Sequence, residues 1–390
     1  MTGQGPPDPS ARSLPGWGPG LPPKRREGVL AAMSGGVDSS AAAIVLLEAG
    51  WRVVGATMRL LDDDAAPQTD SAGRSCCSLN DILDARAVSQ KLNFDHQVHN
   101  FSGVFRREVV DRFVAAYRSG LTPNPCVDCN RRLKFTRLYE RAELLGCGWL
   151  ATGHYAKIEF DVASGRHLLK KARDKTKDQS YFLYGLTQEE LARTIFPLGD
   201  MLKTEVRALA AARGIVNAGK PDSQDVCFIP DGRLDLFLER MGLAPEPGPL
   251  VSTDGKVLGE HRGAHLFTIG QRKGLGLCRP EPTYVTAVDP ATNTVVVGDE
   301  RDLYSDSAVI GDVNLISLEK ISGPLEVTAK IRYRQQEFPA VLEPADGGRL
   351  RLVFREPQRA AAPGQAAVFY LGDVVAGGGT ILRREAVRPY

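Results

Sequence analysis

The chain has 390 residues, 43% of them hydrophobic and 25% charged, with a formal net charge of +2. That is an ordinary globular composition, and the length suggests two or three domains rather than one. No apolar run reaches the roughly 18–20 residues that cross a bilayer, so no membrane association is expected, and the near-neutral charge leaves nucleic-acid binding to wherever the cations cluster.

Residues 1–27 are rich in Pro and Gly and lack the apolar stretch of a secretory signal. They read as a disordered tail, and the expected address is cytoplasmic. GVLAAM (28–33) is the short apolar run of a buried parallel strand. SGGVDSS (34–40) follows directly, and AAAIVLLEAG then reads as a helix closed by Gly50. WRVVGATM (51–58) is a second strand, Ser78 to Leu92 has helical spacing, and FDHQVHN (94–100) is a third strand. Helices are expected over about 102–118 and 130–145, separated by the breaker-rich GLTPNPCVDCN, before a fourth run, CGWLATG (147–153). DVASGR (161–166) reads as a hairpin-like turn, after which helices resume to about 213. Strands alternating with helices over 28–213 imply an α/β, doubly wound parallel sheet with ligands outside the carboxyl ends of its strands. Residues 214–280 are Gly- and Pro-rich and read as a small linking domain. From 281 to 390, YVTAV, TVVVG, LEVTAKIRY, RLRLVF and AAVFYL are punctuated by turn residues, as in an antiparallel β-barrel.

SGGVDSS stands between a strand and a helix, the setting that gives a glycine-rich motif meaning. Gly35 and Gly36 let the backbone turn tightly and approach an anion, and N–H groups of the turn and helix start then face the phosphates. The expected nucleotide-binding stretch is Ala32, Met33, Ser34, Gly35, Gly36, Val37, Asp38 and Ser39, with Asp38 able to hold Mg²⁺. A Walker A loop is a poor match, because the Gly-Lys-Ser/Thr ending is missing. The plain alternative is a Ser/Gly turn that caps a helix. As it stands, the motif resembles the PP-loop of ATP pyrophosphatases, which grips pyrophosphate while the α-phosphate is attacked. The resemblance implies ATP with Mg²⁺ and an adenylated substrate.

TPNPCVDCN (122–130) places Cys126 and Cys129 just before a helix expected to start near Asn130. A helix N-terminus lowers a thiol's pKa, and Arg131, Arg132 and Lys134 add positive potential. DSQDVCFIP (222–230) presents Cys227 in a polar, turn-like segment. An odd count of seven cysteines without an export signal argues for reduced thiols rather than a disulfide scaffold. An incidental pair of loop cysteines is the alternative at 126 and 129. Cys76 and Cys77 read as loop cysteines or accessory thiols, and Cys147 as core.

NPCVDCNRRLKF, GHYA, KDQSYFL (177–183), SQDVCF, FTIGQRKGLGL (267–277) and IRYRQ (331–335) stand in this order along the chain. Together they resemble the signature blocks of the tRNA-specific 2-thiouridylases, the MnmA/TrmU family of PP-loop enzymes, over roughly 28–390. The resemblance implies a tRNA-uridine 2-sulfurtransferase in which ATP adenylates C2 of the wobble uridine, U34. Carried over by position, Cys129 would be the nucleophile and Cys227 the persulfide carrier, leaving a Cys129–Cys227 disulfide to be reduced. The implied partners are tRNAs of the Glu, Gln and Lys type and a cysteine desulfurase or sulfur-relay protein. Cys126 stands where many family members carry Asp. With Cys129 and Cys227 it makes a three-cysteine set able to hold a [4Fe-4S] cluster, and zinc is another tenant. The persulfide and cluster routes both stay open.

Met58, at the end of the second strand, and Gly153 match family positions that contact ATP. Lys177, Asp178 and Gln179 match a block near the target base, and Asn124, Pro125 and Cys126 lie beside the reactive thiol, with Asn124 suited to reading a flipped uridine. Arg332 and Tyr333 offer phosphate contact and stacking. Arg106, Arg107, Arg112, Arg118, Arg131, Arg132, Lys134 and Arg137 form a basic region, which could equally be a solvated helix face. His154 is expected in the pocket without a catalytic role. Two other functions fit parts of the pattern. A PP-loop ligase aminating a small molecule would need an ammonia source and no reactive thiols. A noncatalytic tRNA-binding protein would bind RNA without ATP.

Overall fold

The computed structural model describes residues 28–61, 79–222, 226–229 and 232–383; the N-terminal tail and the segment holding Cys76 and Cys77 lie outside the described residues. β1 (Gly28–Ala32) is apolar and almost wholly buried, as a strand covered on both faces must be. It pairs in parallel with β2 (Arg52–Arg59) on one side and with β4 (Cys147–Ala151) on the other. β3 (Asp95–Asn100) and the short β7 (Thr194–Ile195) complete a parallel sheet in the order β3-β2-β1-β4-β7. The strand order reverses at β1, so the crevice beyond β1 and β4 is where this fold takes a ligand.

Alternating side chains of β1 serve two cores. Val29 and Ala31 pack with α1 (Val37–Glu48), α2 (Leu79–Leu92) and Ala210 of α8 (Lys203–Ala212). Leu30 faces the other way, into a larger core with two composite helices. The first joins α3 (Ser102–Phe105) to α4 (Asp111–Arg118) through a π-helical turn at Arg106–Val110. The second joins α5 (Pro125–Asp128) to α6 (Phe135–Leu144) through a π-helical turn at Cys129–Lys134. Phe105, Phe113, Leu133 and Leu138 are buried between them, and a side chain of this size contributes roughly 1.5–3 kcal/mol when fully buried.

β5 (Ala156–Asp161) and β6 (Arg166–Lys171) form the hairpin expected around 161–166. Beyond it lie α7 (Gln188–Ala192), with a Thr187–Glu190 capping box, and later α9 (Leu234–Arg240). A second sheet contains β8 (Gly248–Ser252), β9 (Val257–His261), β10 (Tyr284–Asp289) and β11 (Thr294–Gly298), in the order β10-β11-β8-β9. YVTAV and TVVVG, expected in the C-terminal barrel, are β10 and β11 of this sheet instead. Their apolar faces meet Leu250 and Phe267 in a separate core, and β11 runs parallel to β8.

The barrel is made of β12 (Tyr304–Leu315), β13 (Leu325–Lys330), β14 (Phe338–Ala345), β15 (Arg349–Arg359), β16 (Ala366–Leu371) and β17 (Val374–Ile381). They are antiparallel in the order β12-β15-β14-β13-β16-β17, and β17 returns to pair with β12, which closes the sheet and removes its edges. β15 shows the required alternation: Leu350, Leu352 and Phe354 are buried, while Arg349, Arg351 and Arg355 are exposed. β6 pairs with β17 at Lys170 and Val374, so the hairpin of the first unit extends the barrel's sheet. IRYRQ, expected to be strand-like, lies past the end of β13 in a turn.

Candidate nucleotide and thiol site

The turn after β1 is fixed before any ligand arrives. Met33 is buried, donating its N–H to the Ala56 carbonyl at 2.8 Å and accepting from Thr57 Oγ1 at 2.7 Å. These bonds tie the turn to β2, near whose carboxyl end Met58 is half-buried. Gly35 has φ +73°, and a Cβ there would lie 2.3 Å from the Asp81 carbonyl oxygen, so only glycine fits. Ser34 donates its N–H to Ser39 Oγ at 3.2 Å, while the Ser39 and Ser40 hydroxyls donate to the Gly36 carbonyl at 3.0 and 3.1 Å. No side chain caps α1, which leaves its first N–H groups for an anion. Gly153, in the turn after β4, abuts this helix start: a Cβ there would lie 2.8 Å from Ser39 N. Ala32 ends β1 and buried Val37 opens α1, so every residue expected to form the loop is contiguous with it.

Asp38 stands in the first turn of α1. It accepts from Tyr155 Oη at 2.8 Å and from Lys203 Nζ at 2.6 and 2.8 Å. Lys203, the first residue of α8, also lies 2.8 Å from Asp222. Asp222 in turn pairs with Lys177 at 2.8 Å and Arg207 at 2.9 Å. Burial works to raise the Asp222 carboxyl, but its bonds to Lys177 and Lys203 prevail and hold it at about 2. Burial, then the neighbouring Asp38, pushes the Tyr155 phenol far up, so it stays a donor. Behind the turn, the Gly35 carbonyl accepts from Asn217 Nδ2 at 2.9 Å and Lys220 Nζ at 3.3 Å. Asn217 also reaches Ser40 Oγ at 3.0 Å, and Lys220 pairs with Asp81 and Asp84 at 2.7 and 2.6 Å. The segment Asn217–Asp222 therefore braces the loop, and a few residues on it carries Cys227.

The cysteine helix starts earlier than its sequence suggested. Asn124 is the extended N-cap residue and Pro125 takes the first helical position, where a missing N–H costs nothing. Cys126 is thus in the first turn and exposed, and Cys129 is one turn further on, half-buried, where the π-segment begins. The positive end of the helix acts more on Cys126 than on Cys129. The two π-helical turns pack against each other. Asp128, between the cysteines, has its carboxyl raised by burial against the opposing pull of Arg112, Arg132 and Arg131. Cys227 is half-buried in a turn closed by Ile229 N–H donating to the Val226 carbonyl at 2.9 Å. Phe228 anchors that turn edge-on against Phe105 and Phe113, at 5.7 and 5.2 Å between ring centres. Cys129 and Cys227 lie against the same core. Among the described residues no group of three or more His, Cys, Asp or Glu side chains is arranged to hold a metal ion.

Lys177, Asp178 and Gln179 are used within the protein. Lys177 pairs with Asp222, the Asp178 carboxylate accepts from Ala172 N–H at 2.9 Å and Ser180 Oγ at 2.7 Å, and Gln179 Oε1 accepts from Tyr155 N–H at 3.0 Å. The Asp178 carboxyl is raised by burial. Tyr333 donates to the Asp178 carbonyl at 3.2 Å, and its ring lies 4.3 Å from that of Phe182. Burial and then Asp178 raise the Tyr333 phenol, and Cys126 is close enough to add to the shift. Arg332 Nη2 donates to the Arg359 and Ala360 carbonyls at 2.6 and 2.7 Å, which ties this turn to the barrel. The segment before Asn124 is bound to the barrel too, Thr122 N–H donating to the Pro363 carbonyl at 2.8 Å and Gln365 Nε2 to the Thr122 carbonyl at 2.9 Å. Much of the basic region is paired: Arg106 with Asp111, Arg107 with Glu108, Arg112 and Arg132 with Asp128, Arg131 with Asp312, Arg137 with Glu140. His154 is half-buried with its Nδ1 2.7 Å from Thr152 Oγ1; desolvation and then Lys134 hold it neutral.

Tyr155, Lys203, Arg207, Asn217, Lys220 and Asp222 were not singled out in the sequence. Tyr155 stands inside GHYA and Asp222 opens DSQDVCFIP, so both lay in quoted blocks. Nothing periodic marked the others.

A parallel sheet with SGGVDSS between its central strand and the following helix defines an α/β protein of the PP-loop class. Residues 27–231 match the family described as tRNA methyl transferase HUP domain, 236–299 the tRNA methyl transferase PRC-barrel domain, and 305–381 the aminomethyltransferase beta-barrel domain. The chain is 50% identical over 353 residues to the tRNA-specific 2-thiouridylase MnmA of Moorella thermoacetica, covering 90% of this chain and 98% of that protein. It is 48% identical over 369 residues to the protein of the same name from Symbiobacterium thermophilum, covering 94% of each. With the Halothermothrix orenii protein it shares 47% over 355 residues. The chain belongs to the MnmA family of tRNA-specific 2-thiouridylases.

Proposed function

We propose that the protein is a tRNA-uridine 2-sulfurtransferase that converts U34 of tRNA to 2-thiouridine at the expense of ATP. The observation that carries this reading is the bracing of the PP-loop by the same segment, Asn217–Asp222, that leads into Cys227. An adenylating site and a sulfur-carrying turn are thus built on one stretch of chain.

In this scheme the uridine O2 attacks the α-phosphate, and pyrophosphate leaves into the loop formed by Ser34–Ser39. Asp38 is the carboxylate that would hold Mg²⁺, which commonly needs only one or two carboxylates beside phosphate oxygens and water, and the ion's charge would offset that of the triphosphate. Cys227 arrives as a persulfide, loaded by a cysteine desulfurase or relay protein. Its terminal sulfur bonds to C2 and AMP leaves with the former O2. The Cys129 thiolate then attacks Cys227 Sγ, the sulfur–sulfur bond breaks toward the nucleobase, and a Cys129–Cys227 disulfide remains for a thiol reductant. Asn124, Pro125 and Cys126, the turn at Arg332–Tyr333 and the Lys177–Gln179 block would surround the flipped base; the last two act chiefly by shaping the site. The tRNAs are those of the Glu, Gln and Lys type, and the reaction is cytoplasmic.

The test is direct: full-length protein, unmodified tRNA bearing U34, Mg·ATP and a persulfide donor, with nucleosides analysed by mass spectrometry. 2-Thiouridine that requires ATP is expected. Its absence, or its formation without ATP, would sink the reading.

A further inference from the structure

We propose that Lys203 is a further phosphate-binding residue of the nucleotide site, an ammonium presented by Asp222 to the triphosphate of ATP. The proposal rests on the ATP-dependent reading above and adds a residue to its first step.

The Lys203 side chain is 10% exposed, with Nζ 2.6 Å from Asp38 and 2.8 Å from Asp222. Asp38 is in the first turn of α1, immediately after the turn whose free N–H groups face an anion. Nζ therefore sits at the rim of that anion site, about one hydrogen bond from whatever Asp38 contacts. Taking an ammonium out of water is costly unless it is paired, and an apolar side chain would fill the same space more cheaply. Its place beside the loop calls for a reason beyond packing.

The network supplies one. Lys203 bridges Asp38 and Asp222, and Asp222 is held independently by Lys177 and Arg207. Lys203 can therefore give up its bond to Asp38 without losing its anchor. When Mg·ATP engages Asp38, Lys203 keeps Asp222 as its anchor and exchanges its bond to Asp38 for a charge-assisted bond to a phosphate oxygen. Asp222, itself pinned by Lys177 and Arg207, is the positioning residue.

Calorimetric titration of the full chain with Mg·ATP, magnesium pyrophosphate and adenosine decides the matter. Lys203→Gln is expected to weaken ATP and pyrophosphate binding at least ~10-fold, as loss of one charge-assisted bond implies, with adenosine affinity unchanged. Lys203→Arg, which keeps the charge, should restore most of the loss. Wild-type pyrophosphate affinity in the Gln variant overturns the proposal, and so does a parallel loss of adenosine binding, which marks a purely structural lysine. Should the Gln variant not fold, Asp222→Asn decides in its place: pyrophosphate binding about threefold weaker with adenosine unchanged supports positioning, and unaltered pyrophosphate binding refutes it. A wild type that binds pyrophosphate through Lys203 yet thiolates no tRNA would sink the functional reading and leave this assignment standing.

Discussion

The PP-loop and the cysteine helix pack on the two different cores that β1 serves and are built on opposite principles. Around the loop the side chains are held from several sides: the Gly35 carbonyl by Asn217 and Lys220, Asp38 by Lys203 and Tyr155, and Ser34 by Ser39. Such a site is arranged in advance, and little reorganisation is left for the moment phosphate binds. Around the thiols the backbone itself departs from regularity. Two π-helical turns face each other, Cys126 is exposed, Cys129 and Cys227 are half-buried, and the helix meets the barrel through an exposed Arg131–Asp312 pair. π-Turns in otherwise regular helices occur often at functional sites. Adenylation asks for a rigid cradle, whereas sulfur transfer asks a thiol to meet first a donor protein, then a base, then a second thiol.

The contrast can be broken most sharply at the cysteines. Cys227→Ser and Cys129→Ser should each lower 2-thiouridine formation by more than ~10³-fold, while ATP affinity measured by calorimetry stays unchanged. Cys126→Ser separates the two chemical routes: activity within a few-fold of wild type fits the persulfide scheme, whereas a loss as deep as that of Cys129→Ser would contradict it.

The next effect falls on the rigid side. Asn217→Ala strips the Gly35 carbonyl and Ser40 hydroxyl of a buried partner, which costs about 1–3 kcal/mol. Thermal unfolding should shift down by several degrees, and the KM for ATP should rise more than kcat falls. An unchanged Tm would mean that the loop does not depend on this brace.

Much of the fold was legible before any coordinates, because each signal was local. GVLAAM, SGGVDSS and AAAIVLLEAG form one contiguous strand, turn and helix, and the doubly wound sheet and closed barrel follow from hydrophobic periodicity. What escaped was pairing over distance. Lys203 reaches Asp38 across 165 residues, and Asn217 reaches Gly35 across 182. A lysine opening one helix and an asparagine in a Gly-rich stretch carry no pattern that names those partners. β10 and β11 were recognisable as strands, but alternation says which face is buried and not which sheet receives it. The start of the cysteine helix was readable in principle, since Pro125 suits a first helical position.

A smaller effect concerns acid stability. Asp222 has a folded-state pKa of about 2, below the usual value near 4. A depressed carboxyl stabilises the fold fully above its unfolded value, and that contribution fades as pH falls through the folded value. The window is therefore about pH 4 down to pH 2. Asp222→Asn should flatten the loss of stability across this window in circular dichroism, while changing the profile above pH 5 little; an unchanged acid profile would show that the carboxylate is not held by Lys177 and Lys203 in solution.

Tyr333→Phe should produce the mildest change and the most informative one about how barrel and thiol site communicate. The substitution keeps the ring against Phe182 and removes only the donation to the Asp178 carbonyl at 3.2 Å. One neutral hydrogen bond is worth about 0.5–1.5 kcal/mol, so Tm should fall by a few degrees at most. Asp178 is fixed on its other side by Ala172 and Ser180, so the block should loosen without collapsing. If the barrel turn shapes the base-facing side alone, kcat/KM for tRNA falls about two- to tenfold and ATP affinity stays as it was, because the Asp38–Lys203 pair does not involve Tyr333. Equal losses for tRNA and ATP would mean that the rigid cradle and the cysteine side are one mechanical unit, with the barrel supporting both.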